Sequence, residues 1–286
     1  QRFRALLESA RKGMGEDVYM LACWGIMSEA AGLADACRIA MDSNPTWAGV
    51  RMQLFETARW FHTQRIIFLN DPDHICARTE PEWTKSLTSL VSLTGSLYML
   101  SDPVSDYTDD IVDVIRKTLP PLEVKPGEVG IPDYRHPAYT WTKLHGFAVM
   151  SHEKPVDSED ISTEEAWSMA GESPTVEDEH PFSSLWAFHL KKADTRWCVM
   201  GRFATVPLNE SSVDVTSLGL NPAERYHAFD FWQEQYMGVV DGCFPARALE
   251  LGACQIVSLR KIEAHPQFLA SSRHVSMGAV DLVTET

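Results

Sequence analysis

The 286 residues contain no C-x-x-C pair, so the six cysteines (Cys23, Cys37, Cys76, Cys198, Cys243 and Cys254) give no support to a zinc ribbon or a redox motif. Six in so long a chain do not make a disulfide scaffold either, and most sit in apolar stretches where a free thiol behaves as a small hydrophobe. That usage leans toward a reducing, cytoplasmic compartment, although the even count leaves disulfides open. No apolar run reaches the roughly 18 residues that would suggest a spanning helix, so no membrane segment is expected. Basic residues are scarce: 25 Lys and Arg against 40 Asp and Glu leave a formal charge of −15, which argues against nucleic acid and anionic membrane surfaces as partners. The ten histidines show no H-E-x-x-H or comparable spacing, so neither a metal nor a cofactor is expected. No internal repeat or low-complexity tract is evident. An initiator Met and a signal peptide's apolar stretch are both missing at Gln1-Arg2-Phe3-Arg4, and Val283-Thr284-Glu285-Thr286 offers no closing element. Both ends are therefore expected to be cut from something longer.

What is present is a composition that can bury a core, 44% hydrophobic and 23% charged, in a length suited to about two domains. Up to about residue 120, short apolar runs alternate with helical patterns. Val18 to Cys23, Ala36 to Ile39, Arg65 to Leu69 and Leu97 to Leu100 read as strands. Between and after them, Thr46 to Phe61, Glu82 to Leu93 and Asp109 to Leu119 read as helices. Asn44-Pro45 is the expected start of the first, Gly95 follows the second, and Pro120-Pro121 stops the third. Parallel β/α units follow, and four of them are half of an eight-stranded barrel. After a linker at 121–136 the period shifts to two. Leu185 to Leu190, Trp197 to Phe203, Tyr226 to Trp232 and Gln255 to Leu259 are expected strands of an antiparallel β-sandwich over 137–286. Glu153 to Glu179, acidic and rich in Ser and Thr, reads as a surface loop.

In a β/α barrel the polar residues at the C-terminal strand ends form the active site. Here those ends carry Cys23-Trp24, Asp42, Asp71 with Asp73, and Ser101-Asp102. Acids beside an Arg and a Trp suit a sugar: carboxylates act as acid, base or nucleophile, polar groups bind hydroxyls, and an aromatic face stacks on the ring. Each has a structural alternative. Asp42 could stabilise a helix N-terminus, Asp71 and Asp73 could cap their own turn, Arg38 could pair with Asp35 or Asp42, and Trp24 could be core. His62 and His74 read as structural, and Ser271-Ser272-Arg273-His274 lacks a nucleophile elbow.

Taken in order, Cys23-Trp24, Arg38-x-x-x-Asp42-x-x-x-x-Trp47, Asn70-Asp71-Pro72-Asp73, and Leu93-Thr94-Gly95 leading to Leu100-Ser101-Asp102 resemble the second half of the barrel in melibiase-type α-galactosidases, glycoside hydrolase clan D. Leu218-Gly219-Leu220, Tyr226-x-x-Phe229-Asp230-Phe231-Trp232 and Ser271 to His274 look like that group's C-terminal region. The resemblance implies the C-terminal half of a (β/α)8 TIM barrel followed by a β-sandwich, and hydrolysis of terminal α-galactosides with retention. By it, Asp42 matches the general acid/base, Arg38 the arginine at the sugar's 2-OH, Cys23 and Trp24 the end of the fifth strand beside the C2 substituent, and Asp73 a carboxylate near the substrate rim. The family's nucleophile, an Asp on the fourth strand, would lie upstream of Gln1. The isolated chain is thus expected to be inactive, with the other half of the barrel supplied by the same gene or by a partner chain. A general acid must stay protonated near neutral pH, which a facing arginine opposes, so Arg38 is expected to face the sugar rather than Asp42. Alternatives are an α-N-acetylgalactosaminidase (with Met27, Ser28, Glu29, Ala30 and Ala31 deciding the C2 pocket), a raffinose-type transglycosidase, and a non-catalytic carbohydrate-binding relative. Self-association into a homo-oligomer is left open.

Overall fold

The computed structural model describes residues 2–23, 27–132 and 184–282. Trp24, the end of the expected linker and the acidic stretch from Glu153 to Glu179 lie outside those residues. The chain opens with helix α1 (Arg2–Met14), which the sequence reading did not anticipate. It buries no residue and is anchored by arginines. Arg4 donates to the Glu29 and Ala31 carbonyls, while Arg11 donates to Leu33 and Val18 and pairs with Asp35 at 2.6 Å.

Three short parallel strands follow, β1 (Leu21–Ala22), β2 (Ala36–Arg38) and β3 (Leu69–Asp71), in the order β1-β2-β3. The connections carry α2 (Met27–Ala30) and α3 (Trp47–Trp60). Two expected strands move. Val18 and Tyr19 are exposed, and pairing confines β1 to two residues. Arg65 adopts φ 53°, its N–H donates to the Phe68 carbonyl, and the apolar Ile66-Ile67 tip points into solvent, so 65–68 is a tight turn and the strand begins at Leu69. A third expected strand, Leu97 to Leu100, lies alongside β3 but reduces to one parallel bridge, Leu100 to Ile75. The reason is local. Pro72 has no N–H to donate and Asp73 sits at φ 74°, so the chain leaves the ladder directly after Asp71.

The helices follow the apolar periodicity closely. α3 is capped by Thr46, whose hydroxyl accepts from the Gly49 N–H, in place of the expected start at Asn44-Pro45. α4 (Pro81–Thr94) ends on Gly95 at φ 67°, a left-handed cap that a side chain would strain. α5 (Asp109–Thr118) stops before Pro120.

The remaining strands are β4 (Val129–Gly130), β5 (Leu185–Lys192), β6 (Thr195–Phe203), β7 (Ser211–Asp214), β8 (Arg225–Asp230), β9 (Gln235–Asp241), β10 (Cys243–Ala246) and β11 (Cys254–Lys261). They form one antiparallel sheet, β4-β5-β6-β11-β8-β9-β10-β7, rather than two separate sheets of a sandwich. The sheet curls over itself: Ala187, Cys198 and Met200 from one end share a core with Val213, Phe244 and Ala246 from the other. Alternate residues on the opposite face, among them Trp186, Phe188, Val199 and Ile256, join Leu54, Leu87 and Leu90 of the helices in a second core. Hydrogen bonds cross the same seam, from Trp232 Nε1 to Ser89 Oγ (3.1 Å), from the Val275 N–H to the Lys117 carbonyl (2.7 Å) and from the Ser86 hydroxyl to the Gly252 carbonyl. Among the described residues, no helix is long and apolar enough to cross a membrane.

Candidate functional site

β2 and β3 run in parallel and pair Arg38 directly with Asp71, so an arginine and a carboxylate finish side by side at the C-terminal ends of adjacent strands. The Arg38 side chain is 11% exposed and its guanidinium meets three carboxylates. Nε lies 3.1 Å from Asp71 Oδ2, Nη2 lies 2.7 Å from Asp73 Oδ1, and Nη1 lies 3.1 Å from Asp42 Oδ1. The planar fork of guanidinium donors suits this arrangement, with a separate nitrogen for each acid. Asp71 and Asp73 are buried, whereas the Asp42 side chain is 62% exposed. Burial pushes the Asp71 carboxyl above its ordinary pKa, against the pull of Arg38 and of the Asp73 N–H that donates to it.

The loop after β3 is locked to the segment after β2. Asp73 Oδ2 accepts the Ser43 N–H at 2.6 Å, and the Ser43 hydroxyl donates to the His74 carbonyl at 2.7 Å. Gln53 reaches out of α3 and its Nε2 donates to the carbonyls of Pro72, Asp73 and His74 at 3.0, 3.3 and 2.9 Å. These contacts fix the residue next to Asp42 without touching Asp42 itself. His74 Nδ1 lies 3.0 Å from Asp73 Oδ1, the oxygen that also meets Arg38. Neither Gln53, Ser43 nor His74 was singled out from the sequence as part of the site. Gln53 carried a usable signal: it is a polar residue on the buried side of a helix, between Val50 and Leu54.

The structure brings Arg38, Asp42 and Asp73 together. The expectation that Arg38 turns away from Asp42 is overturned, since the two are ion-paired. The cause is spacing. With Nε and Nη2 held by two buried acids, Nη1 is left facing the residue four positions on. Asp35 takes Arg11 as its partner instead, and Asp42 precedes the Thr46 cap rather than serving the helix start. Cys23 is exposed just past β1, next in register to Arg38. Its neighbour Cys37 is buried, which together with Asp71 and Cys23 pushes that thiol up to about 11. At the next strand position, Asp102 is buried and paired with Arg78, accepting the Ala77 N–H as well.

No family model matches the sequence. Solved structures do resemble it. A GH27 β-L-arabinopyranosidase from Geobacillus stearothermophilus superposes with a TM-score of 0.57 at 11% identity, over 92% of this chain and 55% of that one. An α-galactosidase I from Mortierella vinacea gives 0.54 at 11%, over 90% and 62%. An α-galactosidase from Saccharomyces cerevisiae, solved with raffinose, gives 0.54 at 10%, over 91% and 68%. The chain therefore shares a fold with part of these enzymes, and spans a little over half the length of the arabinopyranosidase.

Proposed function

We propose that this chain is the C-terminal part of a retaining glycoside hydrolase acting on terminal α-galactosides, or on β-L-arabinopyranosides, which present the same ring hydroxyls without the C6 group. The observation that carries this reading is Arg38, held by buried Asp71 and Asp73 at the ends of two parallel strands with exposed Asp42 on its remaining nitrogen. When a sugar enters, one of its hydroxyls takes the place of Asp42 on Nη1. Arg38 keeps its position because Nε and Nη2 stay bonded. Asp42, no longer facing the cation, takes up a proton from solvent and is then placed to give it to the glycosidic oxygen and later to take one from water. Neither Asp71 nor Asp73 serves as nucleophile, since both are buried with oxygens committed to Arg38. The second carboxylate, about 5–5.5 Å from the acid in a retaining enzyme, comes from the barrel strands that pair beyond β1.

The reading is tested with aryl α-galactosides and aryl β-L-arabinopyranosides. The chain alone should turn over neither, and joined to the segment that completes its barrel it should turn over at least one. Robust turnover by the chain alone overturns the split site. In the complete protein, Asp42→Ala should slow a substrate with a poor leaving group by about 10²–10⁴-fold and one with a good leaving group far less. Binding without turnover is a second reading, favoured by the Arg38–Asp42 pair, which has to open before Asp42 can act; it predicts saturable galactose binding by the complete protein and no product.

A further inference from the structure

His74 reads as structural from the sequence, yet the fold sets its ring against Asp73, which shares Arg38 with the proposed acid Asp42. Its Nδ1 is 3.0 Å from Asp73 Oδ1, and that oxygen lies 2.7 Å from Arg38 Nη2, so imidazole and guanidinium flank one carboxylate oxygen. The His74 backbone is not free to drift, because its carbonyl accepts from both Gln53 Nε2 and the Ser43 hydroxyl. Asp73 is buried while the His74 side chain is 35% exposed. With Nδ1 set against a buried carboxylate, the exposed part of the ring lies away from that contact, on the side that carries Nε2. A carboxylate bound at Nδ1 selects the tautomer that carries its proton there, leaving Nε2 as an acceptor.

We propose that His74 is a substrate-contacting residue whose Nε2 accepts a hydrogen bond from a hydroxyl of the pyranoside bound over Arg38 and Asp42, with Asp73 as its positioning residue. This rests on the glycosidase reading above and adds a specificity element to it. An acceptor fixed in this way discriminates between a sugar that places a hydroxyl there and one that lacks it, because the mismatched complex leaves Nε2 desolvated and unpaired.

The test begins with ¹⁵N-histidine-labelled chain and long-range ¹⁵N–¹H correlation at about pH 8, where an ordinary histidine is neutral. His74, assigned by His74→Gln, should be protonated on Nδ1, and Asp73→Asn should remove that preference. An Nε2-protonated ring in the unsubstituted chain overturns the proposal without any variant. Next, galactose and L-arabinose are titrated into the complete protein, the labelled chain joined to the segment that completes its barrel. A saturable shift of the His74 Nε2 resonance, with affinity weakened about five- to tenfold in His74→Gln, is the expected result. Binding seen in other resonances with Nε2 unmoved overturns the role of His74 alone. If neither sugar binds, the sugar site itself falls, and this inference with it.

Discussion

Arg38 is a single cation shared among three anions, two of them buried. Removing it by Arg38→Met leaves Asp71 and Asp73 buried beside one another, and breaking a buried pair in this way costs about 3–5 kcal/mol. The cost has a pH signature. Because burial raises the Asp71 pKa in the folded state, protonation favours the fold below that value and the benefit is lost as pH rises through it. Urea unfolding should therefore show the Arg38→Met deficit shrinking from pH 7 toward pH 5, and a deficit that is flat or grows on acidification would contradict the assignment. Gln53 acts at one remove. Gln53→Leu deprives three carbonyls of their shared donor, and a loss of about 1–3 kcal/mol is expected by the same measurement. The acids of this cluster were legible in the sequence because they end parallel strands. Their pairing was not, since the side-chain geometry that sends Nη1 to Asp42 depends on which acids the next strand buries.

Among the elements, α3, α4 and α5 could be read from apolar spacing plus their terminators, and β5, β6, β8 and β11 from alternation. Two of the strands that escaped notice have physical reasons for doing so. β9 is exposed along most of its length and β7 along much of its own, so they lack the apolar alternation that marks a half-buried strand. Ile66-Ile67 misled in the opposite sense, because two β-branched residues sit at the tip of a turn with Ile66 69% exposed. Contacts between elements were equally hidden. Gly252 adopts φ 80° and its Cα lies against the Trp83 ring, where a Cβ would overlap indole atoms. Gly252→Ala combines strain with that overlap and should cost about 1–3 kcal/mol, lowering the thermal midpoint and altering the tryptophan near-UV signal. An unchanged midpoint would mean that α4 and the β-sheet meet less tightly than the Ser86–Gly252 contact requires.

Across the whole molecule, stability is unevenly spread. The parallel strands have two or three residues each, and their own apolar cluster is small, built around Met20, Ala22, Cys37, Ile39 and Phe68. β5, β6 and β11 are long, β6 pairs with each of the other two, and all three bury side chains on both faces. Native-state hydrogen exchange should thus find the amides of β1 to β3 opening well before those of β6 and β11, and equal protection in both would count against this ordering. A bound sugar should narrow the gap, since a ligand stabilises the state that holds it. The apolar face shared by the helices and the curled sheet has another consequence. A chain ending near Leu119 would turn Leu54, Leu87 and Leu90 toward water, and one beginning after it would do the same to Trp186 and Phe188. Moved onto a foreign barrel, this β-sheet would need an apolar floor equivalent to the one these helices supply.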